Sequence, residues 1–278
     1  MKCAILQSVC NNYESIISLT GPINKRYAEY YKADYILHKQ AHSHNRHPSW
    51  NKIYSTLDLM QSGEYDYIFF LDGDAVVIDI TRNIFNLGTD NPNMLLHLCS
   101  DGKSGRVFDT NLGVYLVKRD KLMIEFFDKI LHRPALSGYY TERCWEQSVI
   151  QYELDQDISY YSKIVKVYDS NYFNHYSGDW VYHPCHYFHD RGSGKGAPYT
   201  SDEIKAKMLK EKISKLSVDQ KLYTTSESLS SDLHTLAEER ISFNLDSTST
   251  AAGAQPFRWT SALSHVQELR QQPRDYFK

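Results

Sequence analysis

The segment Tyr67 to Ile78, YIFFLDGDAVVI, places two carboxylates, Asp72 and Asp74, at the end of an apolar run with only Gly73 between them, and a second apolar run, Ala75 to Ile78, follows directly. A short apolar run bounded by turn residues reads as a buried strand. Paired carboxylates at the rim of a sheet are a natural seat for a divalent metal. Oxygen ligands suit Mg²⁺ or Mn²⁺, and such ions commonly bridge protein carboxylates to substrate phosphates. The chemistry indicated is that of an enzyme acting on a phosphate-bearing substrate. Alone the triplet is weak, because aspartates beside glycine also make turns.

The elements that must position these carboxylates follow from the pattern around them. Cys3 to Val9 reads as a first strand. Tyr13 to Tyr31 reads as a helix that Gly21-Pro22 breaks or restarts, and it leads into a strand over Asp34 to His38. His42 to Ser49, with three histidines and a proline, reads as loop. Ile53, Leu57 and Met60 recur at helical spacing over Trp50 to Met60, and Gly63 ends that helix before the strand Tyr67 to Leu71. Strand, helix, strand, helix, strand argues for an α/β fold with a mostly parallel sheet flanked by helices. In such sheets ligands bind beyond the carboxyl ends of the strands, where Asp72 and Asp74 fall. Further along, Met94 to Cys99, Val114 to Val117 and Ile164 to Tyr168 read as strands, and Lys121 to His132 and Trp145 to Leu154 as helices. Composition changes near Thr200. Ser201-Asp202-Glu203 caps a helix over Ile204 to Leu216. The expected organisation is therefore a catalytic domain over 1–200 and a helical, partly disordered appendage over 201–278. Phe257, Trp259, Leu263 and Val266 give that appendage a means of docking on the main domain or on another subunit as a homo-oligomer.

Bulk properties narrow the classes. With 31 basic and 34 acidic residues the formal net charge is -3, which gives no general surface for nucleic acid or acidic membrane. The cysteines, Cys3, Cys10, Cys99, Cys144 and Cys185, are odd in number and form no CxxC pair, which argues against a disulfide framework or a structural zinc site. No segment approaches the ~20 apolar residues of a membrane span. A cytoplasmic setting is expected, with membrane-peripheral association compatible with it.

Several further motifs stand in order around the Asp-Gly-Asp triplet. They are Lys25-Arg26-Tyr27-Ala28 ahead of Asp34-Tyr35; Trp50-Asn51-Lys52-Ile53; Leu71-Asp72-Gly73-Asp74-Ala75; Asp109-Thr110-Asn111-Leu112-Gly113 running into Val114 to Arg119; Trp145-Glu146-Gln147-Ser148; and Gly178-Asp179-Trp180-Val181-Tyr182-His183. In this order they resemble the galactosyltransferase/mannosyltransferase family of nucleotide-sugar glycosyltransferases, which includes yeast α-mannosyltransferases and plant xyloglucan xylosyltransferases. The resemblance covers roughly Met1 to Gly192. It implies a GT-A-like, Rossmann-related fold and transfer of an α-linked sugar, with retention, from a nucleotide diphosphate donor to a saccharide or glycoconjugate acceptor. It also implies that Asp72, Asp74 and His183 bind Mn²⁺. Two oxygen ligands and one imidazole suit Mn²⁺ better than an oxygen-only Mg²⁺ site, although Mg²⁺ remains compatible. A UDP-sugar is expected ahead of a GDP-sugar. The sequence departs from the family after His183: the run His183-Pro184-Cys185-His186-Tyr187-Phe188-His189 replaces a small-residue segment ending Gly-Cys, and it leaves His186 and His189 as competing ligands. The eukaryotic relatives usually carry an N-terminal anchor and stem. Neither is expected here, and the chain resembles in this a microbial or viral relative.

Roles for single residues follow from their chemistry. Lys52 can hold the diphosphate or pair with an aspartate of the site. Arg26 can approach donor phosphate or pair with a carboxylate. Asp109 and Asn111 precede a strand on the sugar side, where short polar groups orient donor hydroxyls, and Gly113 allows a close backbone approach. Asn111 can equally be a turn residue bonded to its own backbone. Glu146 and Gln147 are expected at the reacting face, either stabilising positive charge at the anomeric carbon, or with Glu146 as nucleophile or acceptor holder. Gly192-Ser193-Gly194-Lys195-Gly196 lacks Walker spacing and reads as a loop closing over a diphosphate, with Arg191 or Lys195 at phosphate. Two other readings use the same residues: a metal-dependent phosphohydrolase or nucleotidyltransferase, and a non-catalytic glycan-binding scaffold on a transferase fold.

Overall fold

The computed structural model describes residues 1–9, 13–39, 46–102, 107–132, 145–175, 177–184 and 202–216. Its centre is a six-stranded sheet in the order β2-β1-β3-β6-β5-β7, made by β1 (Cys3–Ser8), β2 (Asp34–His38), β3 (Tyr67–Asp72), β5 (Leu96–Ser100), β6 (Thr110–Lys118) and β7 (Val165–Tyr168). β1 runs parallel to both β2 and β3, and β5 parallel to β7. β6 alone runs against its neighbours. The sheet is thus mostly parallel, as the order of apolar runs predicts.

The strands are apolar on both faces because helices cover both. Ile68 and Phe70 face one side with Trp50, Ile53, Leu57 and Met60 of the segment around α2 (Asn51–Ser62). Phe126, Phe127 and Ile130 of α4 (Lys121–His132) and Val149, Ile150 and Leu154 of α5 (Trp145–Gln156) complete that layer. Phe69 and Leu71 face the other side with Tyr27 and Ala28 of α1 (Glu14–Tyr30). α1 and α2 therefore leave β1 and β2 towards opposite faces, and the crevice they open lies beyond the carboxyl ends of β1 and β3. That is where an open α/β sheet binds ligands. Ser8, the last residue of β1, is opposite Asp72, the last residue of β3.

Three departures from the sequence pattern bear on the site. α1 does not break at Gly21-Pro22; it is one helix with Pro22 inside it. Proline forfeits one main-chain bond there. The buried side chains of Ile16, Ile17, Ile23, Tyr27 and Ala28, together with the tertiary hydrogen bonds of Thr20 and Asn24, hold the helix together across it. β6 begins at Thr110 rather than Val114, because Thr110 and Asn111 pair with Ser100 and Cys99 across a register shift at Leu98/Cys99. Asn111 is thus inside the strand, next to a bulge, and not in a preceding turn. Finally, the apolar run after Asp74 is strand β4 (Val76–Val77), which pairs antiparallel with β8 (Val181–Tyr182). Two short helices, α3 (Asn86–Asp90) and α6 (Ile158–Tyr161), complete the elements before α7 (Asp202–Ser214). α7, which the sequence pattern places in the appendage, packs on α1 with Leu209 fully buried against Ile16, Ile23, Val76, Ile78 and Tyr182. Residues 217–278, with the aromatic tail residues, lie outside the described residues. Among the described residues no helix is long and apolar enough to cross a membrane.

Candidate metal centre

The turn that follows β3 is built from below by three fully buried polar side chains. Gln7 on β1 directs its amide nitrogen at the carbonyls of Asp72, Gly73 and Ala75, at 3.2, 3.2 and 3.3 Å. The Thr20 hydroxyl donates to the Gly73 carbonyl at 2.7 Å. Asn24 donates to the Ala75 carbonyl and accepts from the Val77 amide, both at 2.9 Å. Gly73 is required by contact: a Cβ there would lie 2.6 Å from Val9 Cγ1. These bonds fix the main chain on both sides of Asp74, so the direction of both carboxylates is set before any ligand arrives.

β4 and β8 then bring in the histidine. Because Val77 pairs with Val181 and Val76 with Tyr182, the next residue, His183, reaches the turn. Asp72, Asp74 and His183 each offer a ligand atom, and these atoms all lie within 4.8 Å of one another. His183 Nε2 is 3.2 Å from Asp74 Oδ1 and 3.8 Å from Asp72 Oδ2. Adjacent ligands of an octahedral ion held at about 2.0–2.1 Å sit about 3 Å apart; the His183–Asp74 separation is close to this, and the His183–Asp72 separation is wider. Of the histidines that compete as ligands, His183 is at the turn, and His186 and His189 lie outside the described residues.

A residue the sequence reading missed orients His183. Its Nδ1 is 2.7 Å from Asn174 Oδ1, and the Asn174 amide nitrogen donates to the Asn111 carbonyl at 3.1 Å and to Asn111 Oδ1 at 3.0 Å. With its NH₂ committed to Asn111, Asn174 presents its oxygen to the ring. His183 must donate from Nδ1, which leaves Nε2 facing the aspartates. This is the arrangement by which outer-shell groups fix a metal-ligating histidine. Gly113 provides the room: a Cβ there would lie 2.0 Å from His183 Cε1 and 2.9 Å from Asp72 Oδ2.

Two lysines balance the carboxylates. Buried Lys52 contacts Asp72 Oδ1 at 2.8 Å and Glu146 at 3.1 Å, and donates to the Leu112 carbonyl at 3.3 Å. Of the two roles open to Lys52, the geometry displays the pairing with aspartate. Burial favours its neutral amine, but Asp72 and Glu146 outweigh that and push its pKa up. Lys205 of α7 sits 2.5 Å from Asp74 Oδ2. Burial raises the Asp72 carboxyl above its ordinary range, with Lys52 and His183 offsetting only part of this. Burial acts the same way on Asp74, but there Lys205 and His183 win and hold it well below that range.

The other expected site residues fall around this group. Glu146 is buried at the start of α5. Its Oε1 takes the Lys52 ammonium, and its Oε2 has no hydrogen-bond partner among the described residues. Gln147, half-buried, accepts from the Leu112 amide at 3.3 Å. Asn111 accepts from the Gly113 amide at 2.9 Å and donates to Asp101 at 3.2 Å, in addition to its bond with Asn174. Asp109 is buried just before β6, its carbonyl accepting from the Asp101 amide at 2.8 Å. Arg26 is half-buried on α1, two residues on from Asn24 and so about 200° round the helix from it. Lys195 and Arg191 lie outside the described residues. His47 was legible only as one of several loop histidines. It stacks on Trp145 at 3.5 Å, with its Nδ1 3.0 Å from the Ser49 hydroxyl, and so joins the start of α2 to the start of α5. Burial, with Lys52 nearby, lowers its pKa despite the opposing charge of Glu146.

No family profile matches the chain, and no curated protein matches it. Solved structures do. The chain is similar to the crystal structure of a glycosyltransferase involved in the glycosylation of the major capsid of PBCV-1, at 15% identity and a TM-score of 0.56, over 76% of this chain and 100% of that one. The fold is GT-A-like. The glycosyltransferase GlyE of Streptococcus pneumoniae TIGR4 aligns at 13% identity and a TM-score of 0.47, over 84% of this chain and 64% of that one. The galactosyltransferase LgtC, in complex with donor and acceptor sugar analogs, aligns at 13% identity and a TM-score of 0.43, over 75% and 95% of the two chains. The GT-A-like fold carries an Asp-Asp-His group able to bind a metal at the carboxyl end of its parallel strands.

Proposed function

We propose that this chain is a metal-dependent glycosyltransferase that moves a sugar, with retention, from a nucleotide diphosphate donor to a hydroxyl of a saccharide or glycoconjugate. The observation that carries the reading is the Asp72–Asp74–His183 group, with its histidine turned by Asn174, at the crevice of a GT-A-like sheet. Those three residues would hold Mn²⁺, or Mg²⁺ in its place. When bound, the ion neutralises the diphosphate and stabilises the charge that develops as the glycosyl bond breaks.

The rest is the work of side chains. Lys52 fixes the rotamers of Asp72 and Glu146 at once, because its ammonium is shared between them. Glu146, its Oε1 occupied, keeps Oε2 for the sugar, where a carboxylate stabilises positive charge at the anomeric carbon. Gln147, the next residue on α5, and Asp109, just before β6, are the further polar groups we assign to the reacting side. Asn111 and Gly113 serve the donor pocket by positioning Asn174 and seating the His183 ring. Lys195 and Arg26 are the basic residues offered to phosphate. A UDP-sugar is favoured as donor, and the acceptor hydroxyl loses its proton to the departing phosphate.

Calorimetric titration of UDP-glucose, UDP-galactose, UDP-xylose and GDP-mannose, each with and without Mn²⁺, tests this. One donor is expected to bind only with the metal, and Asp74→Asn is expected to abolish that binding and lower turnover by at least about 10²-fold, the scale of losing one charge-stabilising group, with the fold intact. A folded protein that binds none of the four, or an Asp74→Asn variant with unchanged turnover at matched Mn²⁺, overturns the reading.

A further inference from the structure

α7 presents one face to the metal centre. Lys205, Leu209 and Lys212 recur at four- and three-residue spacing and so share that face. Leu209 is fully buried among Ile16, Ile23, Val76, Ile78 and Tyr182. Lys212 lies over the ring of Tyr182 at 5.2 Å, one residue before His183. The Lys205 ammonium reaches Asp74 Oδ2 at 2.5 Å and the Tyr13 hydroxyl at 3.2 Å, with only 16% of its side chain exposed. One helix face therefore touches the strand leading to one ligand and contacts another ligand directly.

The charges around the turn show what that contact does. Lys52 is engaged by Asp72 and Glu146, which leaves Lys205 as the ammonium on Asp74. Asp74 divides its two oxygens, Oδ1 towards His183 and Oδ2 towards Lys205. A divalent ion among Asp72, Asp74 and His183 would share one carboxylate with an ammonium, and two cations that close repel each other strongly in a buried setting.

We propose that Lys205 is the resident counter-cation of this centre: it neutralises Asp74 in the metal-free protein and competes with the divalent cation for that carboxylate, so that cation entry and the docking of α7 oppose each other. The inference rests on the reading of Asp72, Asp74 and His183 as metal ligands. Two consequences follow. The free protein takes up cation more weakly than its three ligands alone would dictate. Cation binding loosens α7 from α1.

The test is Mn²⁺ alone, titrated into the full chain and followed by the electron paramagnetic resonance of free Mn²⁺, with wild type, Lys205→Met, Lys205→Arg and Asp74→Asn. Lys205→Met keeps most of the length of the side chain and removes its charge. It is expected to bind Mn²⁺ about tenfold or more tightly, the scale on which groups beside a metal ligand act, while Lys205→Arg stays near wild type. Unchanged or weaker binding by Lys205→Met, when wild type binds and Asp74→Asn does not, overturns the inference and leaves the metal site standing. Absence of binding in both wild type and Lys205→Met overturns both. If Lys205→Met fails to fold, hydrogen exchange of the α7 amides in wild type decides: faster exchange with Mn²⁺ supports the competition, and unchanged or slower exchange overturns it.

Discussion

Two polar clusters share the turn between Asp72 and Ala75, and they are built on opposite rules. One is neutral: Gln7, Thr20, Asn24 and Tyr35. Gln7 Oε1 accepts from Asn24 at 3.1 Å and from the Tyr35 hydroxyl at 2.7 Å, and its nitrogen, with the Thr20 hydroxyl and the Asn24 amide nitrogen, serves the carbonyls of the turn. The other is charged: Asp72, Asp74, Glu146, Lys52, Lys205 and His183. In the neutral cluster donors and acceptors are matched within the protein, which is what a buried network must achieve to hold a fold. In the charged cluster a buried carboxylate oxygen of Glu146 has no partner among the described residues, and two carboxylates with an imidazole converge on one small volume. Saturated valence belongs to scaffolding and spare valence to a ligand. The two clusters should therefore fail differently when cut.

The largest effect on stability is expected in the neutral cluster. Asn24→Leu removes the bonds to the Ala75 carbonyl, the Val77 amide and Gln7 Oε1; the carbonyl keeps the Gln7 donor and Gln7 Oε1 keeps Tyr35, but the buried Val77 amide is left without its acceptor. With about 1–3 kcal/mol for the unsatisfied amide and about 1 kcal/mol for each of the other two bonds lost, a loss of about 3 kcal/mol or more is expected in urea unfolding. Mn²⁺ affinity of the remaining folded protein should change little. A variant as stable as wild type would break the comparison from the scaffold side.

Gly113→Ala cuts the other way. Its new Cβ falls on His183 Cε1, so the ring must turn away from Asp72 and Asp74. Mn²⁺ affinity should drop by about 10–100-fold, as when the setting of a metal-bound histidine is disturbed, and the overpacking should cost about 1–3 kcal/mol of stability. Titration calorimetry and urea unfolding on one sample read both. Unimpaired affinity in a destabilised variant would place Gly113 with the scaffold and remove His183 from the ligand set.

How much of each cluster could be read in the sequence reflects the same contrast. The parallel strands were legible because both faces of Ile68 to Leu71 are buried and leave an unbroken apolar run. Asp72 and Asp74 were legible because carboxylates directly after such a run are conspicuous, and His183 because it closes a run that resembles a motif of a known family. Gln7 was legible only as an interruption of the first strand, although it is the centre of the neutral cluster. Nothing local to a glutamine says that its partners lie 13 and 65 residues away. Pro22 misled for a related reason: helix-breaking is a local cost, and the tertiary bonds of Thr20 and Asn24 that outweigh it have no local signature. Lys205 sits on a polar helix with no chemical motif around it, and only the packing of Leu209 carries it to Asp74.

The smallest expected effect tests whether the neutral cluster is redundant or only complete. Tyr35→Phe deletes the hydroxyl that donates to Gln7 Oε1 at 2.7 Å, but that oxygen keeps the Asn24 donor at 3.1 Å. No buried group is left without a partner, so the loss is that of one net hydrogen bond, about 1 kcal/mol in urea unfolding. The Gln7 amide should keep its orientation, because Asn24 and the turn carbonyls still define which end is donor and which acceptor. Mn²⁺ affinity should then match wild type. A loss as large as that of Asn24→Leu would mean that Tyr35, not Asn24, fixes Gln7, and the cradle would have to be reassigned from α1 to β2. A loss of metal affinity without loss of stability would mean that the two clusters are coupled through the turn, and that the scaffold tunes the charged site as well as carrying it.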